Sequence, residues 1–265
     1  MLLTVYLGAP SDAGAAKLEA PALKAWDTYV QLTEKRIEAE LNSTSGFLRT
    51  DFLPSTAAST LAAELKSGRV YIERLNTKAV NGSEVSVPDG MIHHWFGSIF
   101  VPSVRMESVL NWVKDYDQHH RYFKEVEESK LLSQNGDTFN IFLRFVRKKV
   151  ITVHYNTNHT VIYRHHHDGL ESSRSFSTRV AEVQNAGTVS EMEKPIGDDS
   201  GFLWRLNSYW RFKRQDGGVV IECESVSLSR SIPFGLGWLI KGFVESVPRE
   251  SLESTLASIR DGVPK

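Results

Sequence analysis

Residues 201–214 (GFLWRLNSYWRFKR) alternate with period two, placing Phe202, Trp204, Leu206, Trp210 and Phe212 on one side of a strand. Leu203, Arg205, Asn207, Tyr209 and Arg211 fall on the other. Asp216-Gly217-Gly218 supplies the positive φ of a tight hairpin turn, and residues 219–230 run back as a second strand. Folding about that turn sets Trp210 opposite Cys223, Phe212 opposite Ile221 and Arg211 opposite Glu222. Apolar then meets apolar on one face, and opposite charges meet on the other. After Pro233 the spacing becomes helical: Leu236, Leu239, Ile240, Phe243, Val244 and Val247, then Leu252, Leu256 and Ile259 beyond Pro248. This predicts a long helix over 234–261 with one apolar stripe, which needs an apolar surface to lie on. The apolar face of the sheet provides one.

The preceding chain extends the pattern. Residues 21–41 predict a helix, with Pro21 in its first turn and an apolar stripe through Ala25, Tyr29, Leu32, Ile37 and Leu41. A polar loop follows, then a short helix around Thr60–Leu65 and a short strand from Val70 to Ile72. Residues 1–85 therefore read as a mainly helical N-terminal extension, and 86–265 as the principal domain. Within the latter, Met91–Val101 predicts a strand, Val104–Asp115 a helix and Tyr116–Phe123 a second short helix. Strand-like runs follow at 125–132, 138–147, 150–163 and 169–183, the third interrupted by Asn156-Thr157-Asn158, where a bulge or bend is expected. The predicted fold class is α+β: strand, helix, helix, six strands, helix. Such a seven-stranded antiparallel sheet curves because its strands twist, and it wraps around the terminal helix.

Composition narrows the function classes. With 265 residues and a formal net charge of −1, there is no electrostatic reason to expect nucleic acid. The single cysteine, Cys223, falls on the apolar face of a strand, where it reads as a buried structural thiol rather than a nucleophile. No apolar run approaches the roughly 20 residues of a membrane-spanning helix. Residues 1–16 (MLLTVYLGAPSDAGAA) carry a short apolar core followed by small residues, like the end of a secretory signal, but without a basic start. That predicts a periplasmic or secreted protein. A disordered N-terminal tail accounts for the same residues and leaves the protein cytoplasmic.

Over residues 91–261 the chain resembles the START-like superfamily, also called SRPBCC or helix-grip proteins. The resemblance rests on the element order, on the hairpin FLWRLNSYWRF…GGVVIECESVSLSR, and on the terminal segment PFGLGWLIKGFVESVPRESLESTLASIR. It implies a tunnel for an apolar ligand between sheet and C-terminal helix, in a fold that serves carriers, sensors and some enzymes alike. The expected partner is thus a hydrophobic small molecule such as a lipid, quinone or polyketide-like compound, with transient membrane contact for its exchange.

Candidate site residues follow from the inner faces of the strands. Phe139, Ile141, Leu143 and Phe145 share one face. A tight turn at Lys148-Lys149 would place His154 beside Leu143 and Thr152 beside Phe145. The predicted ligand-binding set is Leu143, Phe145, His154, Trp204, Leu206, Ser208 and Trp210, with Leu239 and Phe243 from the helix. An aromatic wall with a few hydroxyls suits a mostly apolar pocket; a filled core is the plainer alternative. An enzymatic use of the same cavity would draw on His154 or Tyr155 with Arg144. His119-His120 and His165-His166-His167 read as exposed polar residues, and one of His93 and His94 must face inward. No metal-ligand spacing or nucleophile elbow is present, so no metal, cofactor or serine hydrolase is expected. The opposite strand face, with Arg205, Asn207, Tyr209, Arg211, Glu222 and Glu224, reads as a solvated surface of ion pairs. Its alternative role is a docking surface for the N-terminal helix.

Overall fold

The computed structural model describes residues 16–148, 152–167, 169–231 and 237–265, and the side chains of 17–148, 152–167, 169–231 and 246–265. The chain opens with β1 (Ala16–Lys17), α1 (Ala20–Leu41), α2 (Ser55–Lys66) and β2 (Tyr71–Arg74). Then come β3 (Gly90–Pro102), α3 (Met106–Lys114), α4 (His119–Tyr122), β4 (Val126–Asn135), β5 (Thr138–Lys148), β6 (Thr152–His167) and β7 (Leu170–Gln184). The short β8 (Met192–Glu193) and β9 (Asp198–Asp199) precede β10 (Arg205–Gln215), β11 (Gly218–Arg230) and α5 (Gly237–Gly262).

One nine-stranded antiparallel sheet organises these elements, in the order β2-β3-β11-β10-β7-β6-β5-β4 with β8 paired to β7. The seven long strands expected from the sequence are all members. The two additions are β8 and β2, and β2 brings the N-terminal stretch into the sheet by pairing Tyr71–Arg74 with β3. The terminal hairpin has the expected register, with Trp210 opposite Cys223, Arg211 opposite Glu222 and Phe212 opposite Ile221. The break expected near Asn156-Thr157-Asn158 is a register shift against β7 between Asn158 and His159.

Over β3, β10 and β11 both faces of the sheet are covered. On the inner face, Leu252, Leu256 and Ile259 of α5 join Ile99, Val101, Phe212, Ile221 and Cys223 of the strands and Val109, Trp112 and Val113 of α3 in one core. This is the helix-grip arrangement. Gly97 on β3 permits the close approach of α5, since a Cβ there would stand 2.4 Å from Leu256 Cδ1 and 2.9 Å from Ile72 Cδ1. On the outer face, α1 lays Trp26, Tyr29, Val30 and Ile37 against Tyr209, Val226 and Leu228. Further along, Phe47, Leu48, Leu61 and Leu65 cover Phe100 and Val220.

The outer polar residues are therefore not a solvated surface, which corrects the reading favoured from alternation alone. Arg211, Glu222 and Glu224 are each 2% exposed or less, and Asn207 and Tyr209 are buried as well. Charge pairing makes this burial tolerable. Glu224 accepts from Arg36 Nη2 at 2.5 Å and His94 Nε2 at 3.1 Å, while Arg211 donates to Glu40 at 2.5 Å and to the Phe47 carbonyl at 3.0 Å. Glu222 accepts from the Arg49 and Thr50 amides and the Thr50 hydroxyl. Burial pushes the Glu224 carboxyl up, but the hydrogen bonds and charges of His94 and Arg36 outweigh it and hold it well below the usual carboxylate range. A buried charge persists only when paired and hydrogen-bonded in this way. Arg205 is only half-buried.

His93 and His94 are both buried, because neither face is open. His93 bonds Ser229 on the inner side, whereas His94 joins Tyr29 to Glu224 on the outer. His119 departs from its expected exposure: it is buried beside Tyr116 and Phe123, with Nε2 3.0 Å from the Val113 carbonyl.

Candidate functional site: a cavity beneath the C-terminal helix

Between the inner face and α5 lies a cavity of about 300 Å³. Strands β5, β6, β7, β10 and β11 form its floor and sides, and Val247, Pro248, Ser251, Leu252 and Thr255 of α5 form its roof. Its size is at the lower end of small-molecule sites.

Of the expected ligand-binding residues, Leu143, Phe145, Leu206, Ser208 and Trp210 line this cavity. Leu239 and Phe243 lie on α5, but their side chains are outside the described residues. Trp204 does not line it. The strand begins at Arg205, so alternation does not extend back to Trp204, whose ring packs under α1 and donates to Asp199 Oδ1 at 3.0 Å.

His154 is also displaced, for a reason of register. Leu143 pairs with Thr157, Phe145 with Tyr155 and Val146 with His154. The pairing is thus offset by three residues from that of a tight turn at Lys148-Lys149. An odd offset turns every side chain of β6 over. His154 moves to the outer side, where Nδ1 meets Glu127 at 2.8 Å. Arg144 also lies there, bound through two nitrogens to Glu191. Tyr155 moves inward and is buried, with its hydroxyl 3.5 Å from Glu182 Oε2. Burial and the Glu182 charge push its phenol well above the ordinary value. The acid/base set of the enzymatic alternative is therefore divided between two faces.

The same inversion brings in residues that the sequence reading passed over. Val161, Tyr163 and His159 now face the cavity with Tyr155. Tyr163 meets the Tyr116 hydroxyl at 3.0 Å and has Lys114 Nζ 4.3 Å above its ring. Three serines, Ser175, Ser208 and Ser225, are directly opposite one another on β7, β10 and β11 and line the cavity in a row. Strand spacing sets their backbones about 4.8 Å apart. Ser208 accepts from Trp210 Nε1 at 3.1 Å. The signal for His159 was present in the β6 pattern, since Tyr155, Thr157, His159, Val161 and Tyr163 share one parity. Only the register assigns that parity to the inside. Arg147 and Glu125 stand at one margin, where Arg147 bridges Glu125 to Glu250 of α5.

Among the described residues, no cluster of histidine, cysteine and carboxylate groups is arranged to hold a metal ion. No described helix is long and apolar enough to cross a membrane. No protein-family model matches the sequence, and neither does any curated protein sequence. Solved structures similar to the chain include human StAR-related lipid transfer protein 5, at 12% identity over 91% of this chain and 97% of that one, with a TM-score of 0.49. A STAR-related lipid transfer protein from Xanthomonas axonopodis shares 15% identity over 72% of this chain and 93% of its own, with a TM-score of 0.47. The Zhui aromatase/cyclase from Streptomyces sp. R1128 shares 10% over 64% and 92%, with a TM-score of 0.40. These are likenesses of fold, and the helix-grip architecture itself is read from this chain's own strand order and its sheet-bound terminal helix.

Proposed function

We propose that the protein binds a single hydrophobic small molecule, of lipid, quinone or polyketide-like chemistry, between the sheet and α5. The supporting observation is the cavity of about 300 Å³ with its apolar wall of Leu143, Phe145, Leu206 and Trp210. Desolvation drives the binding: each 100 Å² of apolar ligand surface leaving water contributes about 2.5 kcal/mol. Transfer to and from a membrane, and a periplasmic or secreted location, belong to this proposal; the location rests on residues 1–16 alone. Titrating delipidated protein against fluorescent fatty-acid and sterol probes gives saturable binding, which Ser208→Trp abolishes by filling the cavity. Arg144→Ala and His154→Ala, on the outer face, leave it unchanged. Absence of saturable binding to every apolar probe refutes the proposal.

A further inference from the structure

His159 is 4% exposed and forms part of the cavity wall, edge-on to Phe145. Its Nε2 lies 3.0 Å from Thr157 Oγ1, and that hydroxyl lies 2.9 Å from the Leu143 carbonyl oxygen. A carbonyl only accepts, so the one hydroxyl proton of Thr157 goes to Leu143. Thr157 must then accept from His159, which places the imidazole proton on Nε2. Burial lowers the ring's pKa to about 4, so it is neutral at physiological pH. A neutral ring protonated on Nε2 has a bare lone pair on Nδ1, and no described residue donates to it. Ser175 and Ser225 give or take a proton equally well, as hydroxyls do. Nδ1 is not sealed off by protein, so the contents of the cavity can reach it, and a bound molecule can supply the donor.

Resting on the ligand-binding reading above, we infer that His159 Nδ1 accepts a hydrogen bond from a hydroxyl of the ligand. The site then selects compact apolar alcohols and phenols over molecules of the same shape that carry only ether, ester or ketone oxygens. A net neutral hydrogen bond corresponds to about fivefold in affinity.

The test is a matched pair of probes, 2-naphthol and 2-methoxynaphthalene, titrated by calorimetry into delipidated protein. Wild type binds 2-naphthol about fivefold more tightly. His159→Leu brings the two affinities together, whatever it does to their common level. His159→Gln, whose side-chain carbonyl can accept, retains part of the preference. Long-range 1H–15N spectra of the wild-type protein provide a readout without substitution. The His159 Nδ1 resonance begins as that of an unprotonated nitrogen and moves upfield on saturation with 2-naphthol but not with the ether. Equal affinities in wild type, a preference that survives His159→Leu, or an unmoved Nδ1 resonance each overturn the inference and leave the cavity reading standing. Failure of both naphthalenes to bind where the fatty-acid or sterol probes do bind overturns the inference alone, and failure of all of these probes removes the cavity reading with it.

Discussion

Acidification tests the burial of the cavity histidine most directly. His159 has its pKa lowered from 6.5 to about 4 by desolvation. In the unfolded chain the imidazole takes up its proton first, so its contribution to stability is complete above about pH 6.5 and is lost as the pH falls towards 4. At about 1.4 kcal/mol per pH unit, that loss is on the order of 3 kcal/mol, a large share of the roughly 5–15 kcal/mol of a typical domain. His93 and His119, lowered by burial to about 4 as well, act in the same direction. Two carboxyls act the opposite way: burial raises Glu222 to about 7 and Asp199 to about 6. Their contributions are complete below the unfolded carboxylate value and are lost as the pH rises through those higher values. The total curve is therefore composite, and the difference between wild type and His159→Gln isolates one ring. Urea unfolding followed by tryptophan fluorescence, at half-unit steps from pH 4 to 8, gives that difference if the urea dependence stays constant. Stability of the variant falls less than that of wild type between pH 6.5 and 4, by on the order of 3 kcal/mol. Parallel curves would mean that His159 protonates freely in the folded protein, and the dry cavity wall would be refuted.

Two further perturbations probe the layers on either side of the sheet. Gly97→Val places carbon where Leu256 and Ile72 already stand; it should destabilise by about 1–3 kcal/mol and weaken apolar-probe binding. An unchanged midpoint would show that α5 does not bear on β3. Arg36→Ala removes a partner of the buried Glu224, with an expected cost of about 3 kcal/mol in chemical denaturation, the low end for a broken buried pair because Arg36 is itself partly exposed. A loss below about 0.5 kcal/mol would put the α1 interface in contact with water.

Local pattern determined much of this protein. The β10–β11 hairpin, its register, the apolar stripe of α5 and the order of seven long strands all follow from turn residues and side-chain period, which act over a few positions. Tertiary structure decided what those patterns face. On β6 the odd positions from Val153 to Tyr163 are the more apolar, yet a tight turn at Lys148-Lys149 would put the even ones inside; the actual offset of β6 against β5 put Tyr155 and His159 inside and His154 outside. On β10 and β11 the charged parity looked solvated because alternation reports polarity and not partners. Arg36 and Glu40, more than 170 residues away along the chain, pair with Glu224 and Arg211 and allow α1 to close over them. Period is a property of neighbours in sequence, whereas register between strands and charge compensation between layers exist only once distant segments meet.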